Sequence, residues 1–290
     1  HASQTASMLA GLDEIVDEHE PEIVLVYGDT NTTLAGALVA SKRDPLLAHV
    51  EAGLRSHNWE MPEEVNRVLT DHCADIRFVP SRRAESELET EGIENGVYRT
   101  GDVMYDALLA VRDRAVEASD VLDGLPVSPG SFALATVHRP RNTDDPDRLS
   151  TIVESLGSAP VPVLFPAHPR TVDRLAEYDL LDRARDTLTL LDPQGYLDFV
   201  RLVDTAERVV TDSGGVQKEA FYLETPCITL REETEWPETV SSGWNLLVGA
   251  DRDRLDGALG CEFGDVRDVD PYGDGTAAER IVEVLSDVLA

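Results

Sequence analysis

Residues 208–223 read RVVTDSGGVQKEAFYL. The β-branched run Arg208 to Thr211 predicts a strand, Asp212 to Gly214 a tight turn, and Gly215 to Leu223 a helix, with a second strand at Cys227 to Leu230. A strand feeding a helix feeding a strand is the unit of a parallel sheet. The turn is built of small residues, so backbone amides can approach an anion at the positive end of the helix, and a diphosphate is the natural guest of Ser213, Gly214 and Gly215. Glu219, one turn further on, offers two acceptor oxygens to a ribose diol. The plainer alternative is a tight strand–helix turn with no ligand.

The same grammar extends in both directions. Upstream, strands are predicted at Phe132 to Val137, Val161 to Phe165 and Thr187 to Leu191, alternating with helices at Asp147 to Leu156, Thr171 to Tyr178 and Tyr196 to Thr205. Asp123 to Ser131, rich in Gly, Pro and Ser, reads as a linker. Before it lie strands Ile23 to Val26, Leu46 to Val50, Arg77 to Pro80 and Val97 to Gly101, with helices Thr30 to Ala40, Glu63 to Asp75, Ser81 to Glu91 and Tyr105 to Ala118. A last helix, Thr276 to Leu289, follows a Pro271–Gly275 turn. The expected fold class is α/β with two Rossmann-like doubly wound domains: residues 1–122 and 123–274, with 275–290 packing back on the first.

The chain has 290 residues, 42% of them hydrophobic, and a formal net charge of -31; Lys42 and Lys218 are its only lysines. Such charge argues against nucleic-acid and anionic-membrane partners. Apolar periodicity runs through the chain, so the acid is a solvated surface rather than a disordered tail, as in proteins of salt-rich cytoplasm, where a Debye length of about 3 Å at 1 M tolerates dense like charge. Cys73, Cys227 and Cys261 are far apart, which suggests neither disulfides nor a zinc site. No metal or cofactor is expected. No apolar run reaches membrane-spanning length and no signal peptide is visible, so a cytoplasmic location is expected. The sequence opens on His1 with a helix already in progress, so a fragment of a longer chain is expected.

Three acidic phrases crowd the first domain: Gly28-Asp29-Thr30, His49-Val50-Glu51-Ala52-Gly53-Leu54-Arg55, and Pro62-Glu63-Glu64-Val65-Asn66-Arg67. Two of them follow strands, at the carboxyl ends where α/β sheets bind ligands. Asp29 also suits a helix cap, Glu51 an ion pair with Arg55 or Arg67, and Glu63 and Glu64 the helix dipole. In the second half His138-Arg139 and His168 follow strands and suit phosphate contact or acid–base work, and Arg231 adds a cation at the same rim.

Taken in order, these phrases together with Thr211 to Gln217, Arg231 to Glu238 and Pro271 to Gly275 resemble the non-hydrolysing UDP-N-acetylglucosamine 2-epimerases over essentially the whole chain. The resemblance implies the arrangement of B-type glycosyltransferases, an interdomain active site, a homodimer, and interconversion of UDP-GlcNAc and UDP-ManNAc through elimination of UDP to 2-acetamidoglucal and its re-addition. By motif it implies Asp29, Glu51, Glu63 and His138 as the catalytic set, and His168, Ser213, Gly214, Gly215, Glu219, Arg231 and Arg139 as the UDP-binding set. Two departures stand out. Arg141 occupies the acidic position of the family's His-Arg-x-Glu-Asn phrase, and the family's opening strand and arginine loop are expected before His1; were they missing from the protein, poor stability or no turnover is expected. The hydrolysing relative, a B-type glycosyltransferase and an inactive UDP-sugar-binding remnant are the competing readings.

Overall fold

The computed structural model describes residues 2–263 and 271–290. His1, on which the opening helix was read, and residues 264–270 of the span read as the second domain lie outside the described residues. The chain divides into two compact units, His1–Ala107 with Asp270–Ala290, and Leu108–Val269.

The first unit contains α1 (Ala2–His19), β1 (Ile23–Tyr27), α2 (Asn31–Ala40), β2 (Leu46–Val50), α3 (Pro62–Cys73), β3 (Ile76–Val79), α4 (Arg82–Thr90) and β4 (Val97–Arg99). Its four strands are parallel and lie in the order β1-β2-β3-β4. Thr30 caps α2 by accepting from the Thr33 amide, and most of the helix is buried because it is small and apolar on every side. Gly36 lets it press on the sheet: a Cβ there would stand 2.9 Å from Val26 Cγ1. α3 starts on Pro62, whose missing N–H costs nothing in the first turn.

α5 (Val103–Ala118) runs from the first unit into the second. There follow β5 (Ala133–Thr136), α6 (Pro140–Thr143), α7 (Pro146–Gly157), β6 (Val163–Pro166), α8 (Pro169–Glu177), α9 (Leu181–Thr187), β7 (Thr189–Leu191), α10 (Tyr196–Thr205), β8 (Arg208–Thr211), α11 (Gly214–Tyr222), β9 (Cys227–Thr229), α12 (Pro237–Ser241), β10 (Asn245–Leu247) and α13 (Arg252–Gly260). The six parallel strands lie in the order β10-β9-β8-β5-β6-β7. Winding thus proceeds outward from β5 through β6 to β7, then restarts at β8 on its other side. This is the doubly wound order with its switch point between β5 and β8. Leu149, Ile152, Val153 and Leu156 of α7 pack on Phe165, Val210 and Ile228 of the sheet. Each such burial contributes about 1.5–3 kcal/mol.

The last helix, α14 (Ala277–Leu289), belongs to the first unit, where Ile281, Val284 and Leu285 pack against Val50, Ile76 and Phe78. Among the described residues no helix is long and apolar enough to cross a membrane, and no cluster of His, Cys, Asp and Glu is arranged to hold a metal ion.

Candidate active site

A doubly wound sheet leaves a crevice beyond its strand ends where the winding reverses. In the second unit that crevice lies between the ends of β5 and β8, whose Thr136 and Thr211 hydroxyls meet at 2.6 Å. A cavity of about 310 Å³ opens there, lined among others by His138, His168, Phe199, Ser213 and Val216. His138, His168 and Ser213 are therefore brought to one place.

The floor is tied by Asp212, which is fully buried. Its carboxylate accepts from the backbone amides of His138 at 3.1 Å and Arg139 at 3.0 Å, and from the Asn142 side-chain amide at 3.0 Å. His138 Nδ1 stands 3.3 Å from Asp212 Oδ1. A residue of the quoted turn that carried no role in the sequence reading thus fixes the loop after β5 and turns the His138 ring. His168 caps α8, its Nδ1 accepting from the Arg170 amide at 3.2 Å, which leaves Nε2 for a ligand.

Ser213 caps α11, so Gly214 and Gly215 form the first turn with their amides at the positive helix end. Neither glycine has a positive φ. Gly214 instead provides close approach: a Cβ there would face Glu235 Oε2, Trp236 Nε1 and Arg231 Nη1 at 3.6–3.8 Å. Arg231 is held by Glu235 through two 2.8 Å bonds. Burial tends to raise the Glu235 pKa, but those bonds and the charges of Arg231 and Arg139 keep it below the ordinary carboxylate value. Glu219, on α11, accepts from the Tyr196 hydroxyl at 3.0 Å. Burial raises the Glu219 pKa, with Tyr196 opposing, and burial beside that carboxylate pushes Tyr196 up to about 12. Arg141 is mostly exposed and pairs with Glu232 at 3.1 Å, a carboxylate shared with Arg148.

In the first unit the three acidic phrases meet at the ends of β1 and β2. Gly28, with φ of 65°, turns the chain, and a Cβ on it would lie 3.4 Å from Glu51 Oε2, so Glu51 stands against the Asp29 turn. Glu51 itself has φ of 69°, a left-handed conformation unusual for a side chain of this kind. Arg55 pairs with Asp71 at 2.7 Å and forks onto Glu91 at 2.6 and 2.8 Å, whereas Arg67 pairs with Asp29 and, at 3.2 Å, with Glu64. Glu64 is buried, accepting from Ser56 and His57, and so serves the loop before α3. Glu63 beside it is exposed. Asn66 donates to the Asp29 carbonyl at 2.9 Å, fastening α3 to the same turn.

The family model described as UDP-N-acetylglucosamine 2-epimerase matches residues 1–286. A UDP-N-acetylglucosamine 2-epimerase homolog of Methanococcus maripaludis is 45% identical, over 98% of this chain and 81% of that one. The UDP-2,3-diacetamido-2,3-dideoxy-D-glucuronate 2-epimerase of Pseudomonas aeruginosa is 44% identical, over 99% and 80%. The crystal structure of Methanocaldococcus jannaschii UDP-GlcNAc 2-epimerase in complex with UDP-GlcNAc and UDP superposes with a TM-score of 0.82 at 42% identity, covering 99% of this chain and 81% of that one. The chain belongs to the UDP-N-acetylglucosamine 2-epimerase family.

Proposed function

We propose that the protein interconverts UDP-GlcNAc and UDP-ManNAc without releasing free sugar. The observation that carries this reading is the pairing of two chemistries in one chain: an amide-lined cradle at Ser213, Gly214 and Gly215, and the Glu51 carboxylate standing against the Gly28-Asp29 turn. The C2 proton of the sugar has no adjacent carbonyl to stabilise a carbanion. Elimination avoids one: a carboxylate takes the C2 proton, the C1=C2 double bond forms, and the C1–O electron pair leaves with the diphosphate. In the return step a proton is delivered to C2 from the opposite face and a diphosphate oxygen re-forms the bond to C1.

In this reading the acid–base groups come from Asp29, Glu51 and Glu63, with two of them acting on opposite faces of C2. His138 acts on the diphosphate, its ring turned by Asp212. The Ser213-Gly214-Gly215 amides, with Arg139, Arg231 and His168, receive the charge that develops on the leaving group. Glu219 takes the ribose diol and exchanges its Tyr196 partner for it.

A 2,3-diacetamido-2,3-dideoxy-glucuronate carried on UDP is the second substrate reading, favoured by the 44% identity to the Pseudomonas enzyme. Both UDP-sugars offered separately, with products followed by proton and phosphorus NMR, test the proposal. A UDP-linked epimer of the glucosamine derivative supports it. Free ManNAc accumulating with UDP points to the hydrolysing reaction, and turnover of the glucuronate alone to the second substrate.

A further inference from the structure

His49 is the only buried histidine among the described residues, with no exposed surface. It lies on β2, two residues before Glu51. Its Nδ1 stands 2.7 Å from Asp71 Oδ1 and its Nε2 2.8 Å from the Gly28 carbonyl oxygen. A carbonyl oxygen only accepts, so Nε2 must donate. The other partner is a carboxylate that also accepts from the Gly53 amide at 3.0 Å and the Arg55 guanidinium at 2.7 Å. The Arg55 guanidinium and the Gly53 amide both donate to Asp71 Oδ2, a pairing that keeps the carboxyl ionised, so Oδ1 too accepts and Nδ1 must donate. A neutral imidazole has one donor; two acceptors require two.

The neighbours show what this ring holds. Gly28 immediately precedes Asp29, and its amide donates to the Val50 carbonyl at 3.0 Å while its carbonyl receives His49. Gly53 follows Glu51 by two residues and has φ of 77°; its amide ends on Asp71. Asp71 is anchored from its own backbone as well, since Arg77 donates to its carbonyl at 2.6 Å, and Arg55 carries the cluster on to Glu91. One buried carboxylate therefore fastens both turns, that of Glu51 directly and that of Asp29 through the ring.

We infer that His49 carries a proton on both ring nitrogens and is a positioning residue for the proton chemistry: it clamps the Gly28 carbonyl, and so the Asp29 turn, to the carboxylate that fixes the Glu51 turn. The inference rests on the assignment of Asp29 and Glu51 as acid–base groups. His49 itself touches no substrate. It sets the separation of two groups that must reach opposite faces of one carbon, and misplacement by about 1 Å can cost on the order of 100-fold in rate.

The test has two arms. Nitrogen-15 NMR of histidine-labelled wild-type protein at pH 7.5 should show one ring with both nitrogens protonated and both N–H protons slow to exchange with water; a buried ring with one bare nitrogen overturns the inference. In the second arm, His49→Gln and Asp71→Asn are assayed for turnover and for UDP affinity by calorimetry. Expected is a loss of roughly 10–100-fold in kcat with UDP affinity changed less than about threefold. A folded His49→Gln variant with wild-type kcat overturns the positioning role. If instead Asp29→Asn and Glu51→Gln both keep full turnover, the acid–base assignment fails and the positioning role with it, while the doubly protonated ring is judged by the NMR arm alone. Should neither variant fold, that arm still decides the protonation on the wild-type chain.

Discussion

Replacing Asp212 by Asn changes one atom and leaves the shape of the side chain intact, yet Asp212 is the buried acceptor on which the loop after β5 hangs. Three donors converge on it: the amides of His138 and Arg139 and the side chain of Asn142. A hydrogen bond to a charged acceptor contributes about 1.5–3 kcal/mol and a neutral one about 0.5–1.5, so each retained bond weakens by roughly 1 kcal/mol and the three together by about 3. In a unit of roughly 150 residues, 1 kcal/mol moves Tm by about 2–4 °C, so the transition of the second unit should fall by about 6–12 °C. The same change frees the His138 ring and the Arg139 backbone, and UDP affinity should drop about tenfold, or 1.4 kcal/mol. Thermal melting by circular dichroism, with and without UDP, and calorimetric titration read both effects. A variant that melts within about 2 °C of wild type and binds UDP unchanged would refute the role given to Asp212.

Two glycines should separate stability from binding. Gly53→Ala forces a Cβ to within 2.3 Å of the Ala84 carbonyl oxygen at φ of 77°, which should cost roughly 3 kcal/mol or more in a melt. Gly214→Ala meets nothing closer than 3.6 Å in the protein, so it should fold normally and lose at least about tenfold in UDP affinity, because its new methyl stands where the ligand approaches the amides. Glu219 has its pKa raised by burial, so its protonated form favours the folded state, and its stabilisation is present below the unfolded value of about 4.3 and lost as pH rises through the folded one. Glu219→Gln should therefore melt higher than wild type at pH 8, with the gap closing toward pH 4, and bind UDP more weakly; equal melting at both pH values would contradict this. With a net charge of -31, raising KCl from 0.1 to about 2 M should raise Tm as the Debye length shrinks from about 10 Å to below 3 Å, whereas a salt-indifferent melt would remove the case for salt adaptation.

The long elements were legible because their periods are local. β1, β2, β8, α10 and α11 lie within a residue or two of where β-branched runs and helical spacing put them. The short elements α6, α9, α12 and β10 were not read, being too brief for a period to show. The doubly wound order of the second sheet was legible as a class, while the switch point between β5 and β8 emerged only with the pairing. At the site, the turn residues Asp29, Glu51, Ser213 and Gly214 announced themselves through composition. The groups that hold them did not. Asp71 sits inside a helix that reads as amphipathic and Tyr196 opens another, and their partners Arg55 and Glu219 are distant in sequence. Nearest-neighbour reasoning offered Arg55 and Arg67 as candidates for Glu51; it could not foresee that the fold also brings them to Asp71, Glu91, Asp29 and Glu64.

The central claim is that this chain moves a proton at C2 while the sugar leaves and rejoins UDP. Incubation with UDP-GlcNAc in deuterium oxide, followed by proton NMR of the nucleotide-linked sugars, measures this directly. The account predicts UDP-ManNAc carrying deuterium at C2, with deuterium also entering the remaining UDP-GlcNAc as the reaction reverses. Epimer formed with its C2 hydrogen retained, or a UDP-GlcNAc pool that stays fully protonated and unepimerised under conditions where UDP binds, would contradict it.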